Sequence, residues 1–372
     1  MLYFDYNAST PIHPVVQEKI QAVLSCQANP SSLHAFGRQS KEALESAREV
    51  LARFISAKRP SQLIFTSGAT EANNMLISSF MQDVTKEIVL VSSIEHPCVL
   101  EAAKSREKRG LSYDVIPVLD TGHLNLEALE ELLVRYKGRV SLVSVMLANN
   151  ETGVIQDLEA IVEMGHKEGV LVHSDCAQVL GRMPFDVAKL DLDFASFSAH
   201  KCYGPQGVGA LYAKESDRLE AFMVGGSQEQ MLRAGTQNGV GIEGFKAAIE
   251  LLDDLGEPEI MRLAHLKAMF LKGLERLPID IVLNSPKDSL PNTLNVSFGK
   301  HSAEKIVTNL DLAGFGVATG AACSTGSIDP SPVLLAMGRS QEEALRCVRF
   351  SWGYKTQDRD IKALLKGLTD IV

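Results

Sequence analysis

Short runs of apolar residues alternate along most of the chain with stretches in which apolar residues recur at helical spacing. The apolar runs are rich in Val, Ile, Leu and Phe and lack strict alternation with polar residues, which is typical of strands buried on both faces of a parallel sheet. We predict strands at residues 63–67, 88–93, 113–118, 141–147, 170–175, 194–198 and 209–213. The helical spacing predicts helices at residues 40–55, 127–136 and 158–169.

This alternation of strands and helices predicts an α/β domain with right-handed crossover connections. The pattern changes after about residue 256, where residues 256–278 form a long helical pattern. Two further apolar strands, at residues 293–298 and 345–352, are then mixed with helices. The pattern therefore favours a second, smaller α+β domain.

Composition and charge restrict the class of protein. The 372 residues are 45% hydrophobic and 22% charged, and the formal net charge is −9, which is ordinary for a soluble globular protein and argues against a nucleic-acid-binding surface. No run approaches the roughly 20 apolar residues that a membrane span needs, and the first residues lack the features of a signal peptide. The six cysteines form no CxxC pair, so we expect a cytoplasmic protein without structural metal.

Polar clusters follow five of the predicted strands at their carboxyl ends. In open α/β sheets, ligands bind outside the carboxyl ends of the strands. We therefore expect one pocket to collect these five clusters. They are GATE (68–71), EH (95–96), NNE (149–151), DCAQ (175–178) and SAHK (198–201).

Lys201 suggests the chemistry of this pocket. Burial favours the neutral amine of a lysine, and a neutral amine forms Schiff bases with carbonyl compounds. Pyridoxal 5′-phosphate (PLP) requires such a lysine, a carboxylate beside its ring nitrogen and a cradle for its phosphate. Asp175 ends an apolar strand and could supply the carboxylate, or it could cap the following turn. The helix start after GATE could bind phosphate. A solvated lysine at a strand end remains the alternative for Lys201.

Segments spread in order over nearly the whole chain match a known family. The chain resembles the NifS/IscS-like cysteine desulfurases, which belong to the fold type I (aspartate-aminotransferase-like) PLP-dependent transferases. The matching segments are DYNASTP (5–11), NPSSLHAFG (29–37), FTSGATEANN (65–74), EHPCVL (95–100), NNETG (149–153), VHSDCAQVLG (172–181), SFSAHKCYGPQGVGALY (196–212), RAGTQN (233–238), NTLNVSF (292–298), TGAACSTGS (319–327) and VRFSWG (348–353).

The resemblance implies a fold and its division into domains. A large PLP-binding domain, placed at residues 15–256, would hold a mixed, mostly parallel seven-stranded sheet. A small α+β domain would comprise residues 1–14 and 257–372. The implied activity converts L-cysteine to L-alanine and leaves a persulfide on the enzyme.

The resemblance also assigns residues to the cofactor. Lys201 would form the Schiff base with PLP and move protons, and Asp175 would pair with the ring nitrogen. His96 would stack on the ring and could act as an acid–base group, although capping of the following helix would also explain it. The other implied PLP-binding residues are Ala69, Thr70, Asn150, Gln178, Ser198, His200 and, from the neighbouring subunit, Thr236.

Three further residues are implied in substrate binding and sulfur transfer. Arg349 would clamp the substrate carboxylate, for which a planar guanidinium is well suited, and Asn29 would also contact substrate. Cys323 lies in TGAACSTGS, which contains only small residues and the cysteine itself, and would carry the persulfide. We expect Cys98, Cys176 and Cys202 to serve in packing, and we assign no catalytic role to Cys26 or Cys347.

The expected partners follow from the same resemblance. They are L-cysteine, a second copy of the chain in a homodimer, and a sulfur-acceptor protein such as an iron–sulfur scaffold or a thiolation enzyme. Scaffold docking is left open, because relatives that feed scaffolds usually extend further beyond VRFSWG. Two alternatives of the same fold are a selenocysteine lyase and a small-amino-acid aminotransferase. An alternative of another class is a non-catalytic docking protein of a sulfur pathway.

Overall fold

Strands and helices alternate along most of the chain in the computed structural model, which describes residues 1–25, 28–80, 86–319 and 329–372. The strands are β1 (Leu2–Tyr3), β2 (Leu63–Thr66), β3 (Ile88–Ser92), β4 (Ser112–Ile116), β5 (Val140–Ser144), β6 (Leu171–Asp175), β7 (Phe194–Ser198), β8 (Gly209–Ala213), β9 (Ile281–Leu283), β10 (Thr293–Phe298), β11 (Phe315–Gly316), β12 (Ala318–Thr319) and β13 (Cys347–Ser351). The helices are α1 (Pro14–Val23), α2 (Ala35–Phe54), α3 (Ala69–Ser79), α4 (Pro97–Ser105), α5 (Leu126–Arg135), α6 (Leu158–Lys167), α7 (Gly239–Leu274), α8 (Ala303–Leu312), α9 (Pro332–Ala336), α10 (Gln341–Ala344) and α11 (Asp358–Ile371).

The main sheet has seven strands in the order β2-β8-β7-β6-β5-β3-β4. The two pairs made by β8 are antiparallel, and the other pairs are parallel. This confirms the mixed, mostly parallel sheet expected from the sequence. Every residue of β3, β5, β7 and β8 is buried, which explains the absence of apolar–polar alternation in these strands.

The predicted strand at residues 141–147 extends beyond the observed strand β5, which ends at Ser144. The backbone N–H groups of Val145 and Leu147 nevertheless donate to the carbonyls of His173 and Asp175, at 3.0 and 3.3 Å. The chain therefore stays attached to β6 beyond the regular ladder. This attachment carries residues 148–151 to the carboxyl edge of the sheet.

A second sheet is formed mainly by the C-terminal part of the chain. It is antiparallel, with the order β12-β13-β10-β9, and β1 pairs in parallel with β11 beside it. Its own core contains aromatic residues, and Trp352 is fully buried there. An isolated bridge between Asp5 and Ser351 ties the N-terminal segment to β13. The division of the chain at residue 256 stays a prediction.

Two helices differ from the sequence prediction at their ends. Helix α2 begins at Ala35 rather than residue 40, because the His34 side chain caps it by accepting a hydrogen bond from the Gly37 N–H at 3.2 Å. The predicted helix at residues 256–278 is the second half of α7, which already begins at Gly239. Gly256 breaks its regularity, with φ 50° and ψ −150°. Within the described residues, no helix is long and apolar enough to cross a membrane.

A buried ion pair joins α2 to the loop that precedes α7. The Arg48 guanidinium donates to both carboxylate oxygens of Glu229, at 2.8 and 2.9 Å, and the Phe65 N–H donates to the same carboxylate at 2.8 Å. The Glu229 side chain is fully buried. Removing one partner of a buried pair leaves an uncompensated charge, which is strongly destabilising.

We expect Arg48→Met to lower the free energy of unfolding by about 3–5 kcal/mol, measured by urea denaturation. Arg59→Met is the matched control, because Arg59 pairs with Glu215 at the surface, where both side chains are more than half exposed. Such a pair contributes at most about 1 kcal/mol. Equal effects of the two substitutions would show that the buried pair contributes no special stability.

Candidate active site

The polar strand ends converge on one cavity of about 510 Å³. Residues from both sheets and from the N-terminal segment line it, including Asn7 and Ala8. The predicted site residues that line this cavity are Ala69, Thr70, His96, Asn150, Asp175, Gln178, Ser198, His200, Lys201 and Arg349. The sequence prediction that these separate clusters share one pocket therefore agrees with the geometry.

One end of the cavity is suited to an anion. Helix α3 begins there with Ala69 and Thr70, and the first N–H groups of a helix have no partner within the helix. Gly68 precedes the helix with φ 158°. A Cβ on residue 209 of strand β8 would lie 2.6 Å from the Gly68 Cα, so the two backbones approach this closely only because residue 209 is a glycine. Ser198, at the end of β7, lies on the same cavity wall.

His200 adds a neutral ring to this region. Burial lowers the pKa of His200 to about 4, and the nearby cations of Lys201 and Arg182 act in the same direction. Its Nδ1 lies 3.2 Å from the Ser9 hydroxyl oxygen. The imidazole is therefore uncharged at neutral pH and can only donate or accept hydrogen bonds there.

Lys201 follows β7 and reaches the N-terminal segment. Its Nζ donates to the carbonyl oxygens of Asn7 at 2.7 Å and Ala8 at 2.8 Å. Burial lowers the pKa of Lys201 to about 8, with further lowering from the Arg182 and Arg349 cations. A substantial fraction of the amine is therefore neutral, and so nucleophilic, near physiological pH.

This lowered pKa predicts how the reaction of Lys201 with an aldehyde depends on pH. With a pKa of about 8, the neutral fraction of Lys201 rises from about one-tenth at pH 7 to about nine-tenths at pH 9. We expect the rate at which Lys201 forms a Schiff base with an added aldehyde such as PLP to rise about tenfold over this range and then level off. Rapid-mixing absorbance measures this rate, with a simple amine as the reference. A rate that keeps rising above pH 9, as for an ordinary lysine, would contradict the lowered pKa.

Asp175 ends β6 and points both of its oxygens at N–H donors. Oδ1 accepts from the Ala177 N–H at 2.9 Å, and Oδ2 accepts from the Asn73 side-chain amide at 2.7 Å. The two interpretations offered by the sequence are therefore compatible, because one oxygen caps the turn while the carboxylate also lines the cavity. The backbone and Asn73 together fix the orientation of the carboxylate.

His96 precedes α4 and caps it. Its Nδ1 accepts a hydrogen bond from the Cys98 N–H at 3.2 Å, so the capping interpretation holds while the ring also lines the cavity. Burial lowers the pKa of His96, although Asp175 partly opposes this shift. The ring therefore favours the neutral state.

Arg349 reaches the cavity from β13 of the second sheet. Its Nη2 donates to Asp5 Oδ1 at 2.7 Å, and its Nη1 donates to the Asn150 carbonyl at 3.2 Å. Its Nε is buried without a hydrogen-bond partner among the described residues. The guanidinium is thus held in place and keeps donor capacity for a further carboxylate.

Gln178 forms a hydrogen bond to the N-terminal segment. Its Nε2 donates to the Asn7 carbonyl at 3.0 Å, and its Oε1 accepts from the Arg182 guanidinium. Asn7 therefore contacts both Gln178 and Lys201 through one carbonyl oxygen. The sequence reasoning did not assign Asn7 to the site, although it lies in the matching segment DYNASTP.

Three predicted site residues are not among those that line the cavity. Asn29 accepts a hydrogen bond from the Ser31 N–H at 2.9 Å and does not line the cavity. Thr236, expected to act from a neighbouring subunit, does not line the cavity of its own chain. Cys323 lies outside the described residues.

Cys98 lines the cavity, which the sequence analysis did not predict. Its Sγ lies 3.0 Å from His96 Nδ1, and the expected packing role is compatible with this position and stays a prediction. Its place two residues after His96, in the first turn of α4, was the signal that could have revealed it.

Comparisons with known proteins agree over nearly the whole chain. The family model described as Aminotransferase class-V matches residues 2–364. The cysteine desulfurase IscS of Dictyoglomus turgidum is 39% identical over 375 aligned residues, which cover 100% of this chain and 94% of that protein. A solved structure of a NifS-like protein is 33% identical, with a TM-score of 0.92, and covers 100% of this chain and 98% of its own. The structure of SspA in complex with cysteine is 31% identical, with a TM-score of 0.84, and covers 95% and 99%.

Proposed function

Because the chain belongs to the class-V aminotransferase family and is a cysteine desulfurase, we propose that the cavity around Lys201 is its active site and binds PLP. Enzymes of this family depend on PLP. The observation that supports the proposal most is the convergence on one cavity of an amine, a fixed carboxylate, a helix N-terminus and a guanidinium.

The residues present fit PLP at each of its functional groups. The α3 N-terminus with Thr70, Ser198 and His200 would hold the phosphate, because unpaired N–H groups and neutral donors suit an anion. Asp175 would hold a protonated ring nitrogen, and Asn150 and Gln178 would lie near the ring hydroxyl. When bound, PLP supplies an electron sink for the bonds at the substrate α-carbon.

Lys201 and Arg349 would act directly on the substrate, Lys201 by accepting a proton and Arg349 by binding the carboxylate. The neutral Lys201 amine would accept a proton from the α-carbon, as its lowered pKa allows. The Arg349 guanidinium would bind the α-carboxylate through the donors that Asp5 and Asn150 leave free. Asp5 would keep the guanidinium oriented before substrate arrives. Asn29 does not line the cavity of the single chain. We therefore propose that it contacts substrate only in the homodimer.

Cys323 is proposed as the sulfur acceptor within the enzyme. Its thiolate would attack the sulfur of the bound cysteine. An S–S bond forms, the substrate C–S bond breaks, and the α-amino acid leaves as L-alanine after taking up a proton. The reaction needs no external oxidant, because cysteine and a thiol yield alanine and a persulfide. A thiol of a sulfur-acceptor protein then removes the outer sulfur.

The proposed assembly is a cytoplasmic homodimer that delivers sulfur to an iron–sulfur scaffold or a thiolation enzyme. Thr236 would reach the phosphate site of the neighbouring subunit, which would explain why it does not line the cavity of its own chain. Cross-linking and light scattering measure the oligomeric state. A monomer with full activity would contradict this part of the proposal.

The assay that tests the function supplies L-cysteine alone to the yellow, PLP-loaded enzyme. We expect equal amounts of L-alanine and reducible sulfur, and their loss in Cys323→Ala. Alanine formation that requires a 2-oxo acid would indicate an aminotransferase. Turnover of selenocysteine together with a Cys323→Ala enzyme that retains full activity on cysteine would indicate a lyase in which Cys323 is not the nucleophile. Absence of PLP and of any turnover would indicate a docking protein.

A further inference from the structure

A chain of hydrogen bonds links Asp175 to His96 through two residues that have no assigned role. The Asn73 Nδ2 donates to Asp175 Oδ2 at 2.7 Å and to Cys98 Sγ at 3.1 Å. The Cys98 Sγ lies 3.0 Å from His96 Nδ1. The group expected at the ring nitrogen and the group expected on the ring face are thus joined through Asn73 and Cys98, and Cys98 also lines the cavity.

The direction of this hydrogen-bond chain follows from its Asp175 end. A carboxylate only accepts hydrogen bonds, and both Asp175 oxygens receive an N–H. The Asn73 amide must therefore present its NH₂ group, since the opposite orientation would place its oxygen against the carboxylate. Its second hydrogen then points at the Cys98 sulfur, which accepts it.

The Cys98 thiol can donate its own hydrogen in a hydrogen bond to His96. Burial raises the pKa of Cys98 to about 12, so the sulfur remains an S–H group at neutral pH. The Thr70 hydroxyl is a further hydrogen-bond partner of this sulfur. The His96 Nδ1 is the better acceptor for the thiol hydrogen, because an imidazole nitrogen is more basic than a hydroxyl oxygen.

The backbone identifies the same ring nitrogen as an acceptor independently. The Cys98 N–H donates to His96 Nδ1 at 3.2 Å. A neutral imidazole has one donor and one acceptor nitrogen. If Nδ1 accepts, the ring hydrogen lies on Nε2, which forms no hydrogen bond with any described residue.

We propose that Cys98, oriented by Asn73, is a positioning residue that holds the His96 ring with its hydrogen on Nε2. His96 then presents its Nε2–H to the substrate or cofactor, so that proton transfer by this ring begins with donation from Nε2. This orientation refines the acid–base role that the resemblance suggested for His96, and it rests on the proposed function of the cavity.

The ring state is tested by nitrogen NMR of the PLP-loaded enzyme labelled with ¹⁵N-histidine, in which the His96 signals are identified by their loss in His96→Gln. We expect an unprotonated Nδ1 and a protonated Nε2 near neutral pH. In Cys98→Ala only the backbone N–H remains as a donor to Nδ1, so the Nδ1 signal should shift and a minor population of the other tautomer should appear. Cys98→Ser should restore the wild-type state because it retains a side-chain donor.

Cys347→Ala is the matched control. Cys347 is also a buried thiol with side-chain partners, but these are Asn284 and Ser297, away from the cavity. Its removal should leave the His96 signals unchanged. We expect Cys98→Ala to lower kcat about fivefold, the size of one lost neutral hydrogen bond, with KM unchanged.

A His96 ring protonated on Nδ1 in the wild type would overturn the proposal. So would a Cys98→Ala enzyme with the signals and kcat of Cys347→Ala. These failures are distinct from failure of the proposed function, which would appear as wild-type protein that does not attach PLP at Lys201 or does not release alanine. The latter two properties are measured on the same wild-type sample.

Discussion

Lys201→Ala is expected to abolish cysteine desulfuration, lowering kcat/KM by about 10⁴-fold, the upper range for loss of a positioned general base. The reason is that Lys201 is the only amine among the described residues that line the cavity. Alanine formation from L-cysteine measures the loss. The variant should also show no PLP attached to the peptide of residue 201 after borohydride reduction and proteolysis.

Lys267→Met is the control for removing a buried lysine. Burial also lowers the pKa of Lys267 to about 8, but its Nζ bonds to Ser289 and the Leu290 carbonyl and lies outside the cavity. We expect this variant to be less stable while retaining reducible PLP and the kcat of the folded enzyme. Substantial desulfuration by Lys201→Ala, or loss of PLP attachment only in Lys267→Met, would refute the assignment of Lys201.

Asp175→Asn is expected to lower kcat by at least about a hundredfold. Losses of this size are typical when an enzyme loses one group that stabilises charge developing in the transition state. The amide removes the negative charge that would pair with the ring nitrogen. It also places an NH₂ group against one of two donors, the Ala177 N–H or the Asn73 amide. Steady-state alanine formation and the absorption spectrum of bound PLP measure the change.

The control for this substitution is Asp193→Asn. Asp193 is also a buried carboxylate that accepts from a backbone N–H, of Val172 at 2.8 Å, but its other partner is His166 and it lies outside the cavity. We expect Asp193→Asn to reduce stability with little change in kcat. A similar kcat for both variants would mean that Asp175 contributes only to the stability of the fold and not to catalysis.

The sequence sufficed for most of the main sheet because strands such as β3, β5 and β8 are short, fully buried runs that can be recognised locally. The polar residues at the ends of these strands were recognised for the same reason, since a parallel sheet brings them together at one edge. Lys201 and Asp175 could thus be placed in one pocket without knowledge of the contacts between them.

Contacts between distant segments could not be predicted in this way. Arg349 lies in the second sheet and bonds to Asp5, and only the pairing of β13 with the N-terminal segment brings the two together. The link from Asn73 to Cys98 depends on the packing of α3 against α4, which leaves no periodic signal in either helix. The first half of α7 was missed because residues 239–255 contain three glycines, which lower helix propensity.

Mass spectrometry of the intact protein after brief incubation with L-cysteine measures persulfide formation on Cys323, with Cys323→Ser treated in parallel. We expect one added sulfur on the wild-type chain, removed by a reductant and absent from Cys323→Ser. A wild-type enzyme that holds PLP but gains no sulfur, or a Cys323→Ser enzyme that gains the same sulfur, would contradict persulfide formation on Cys323.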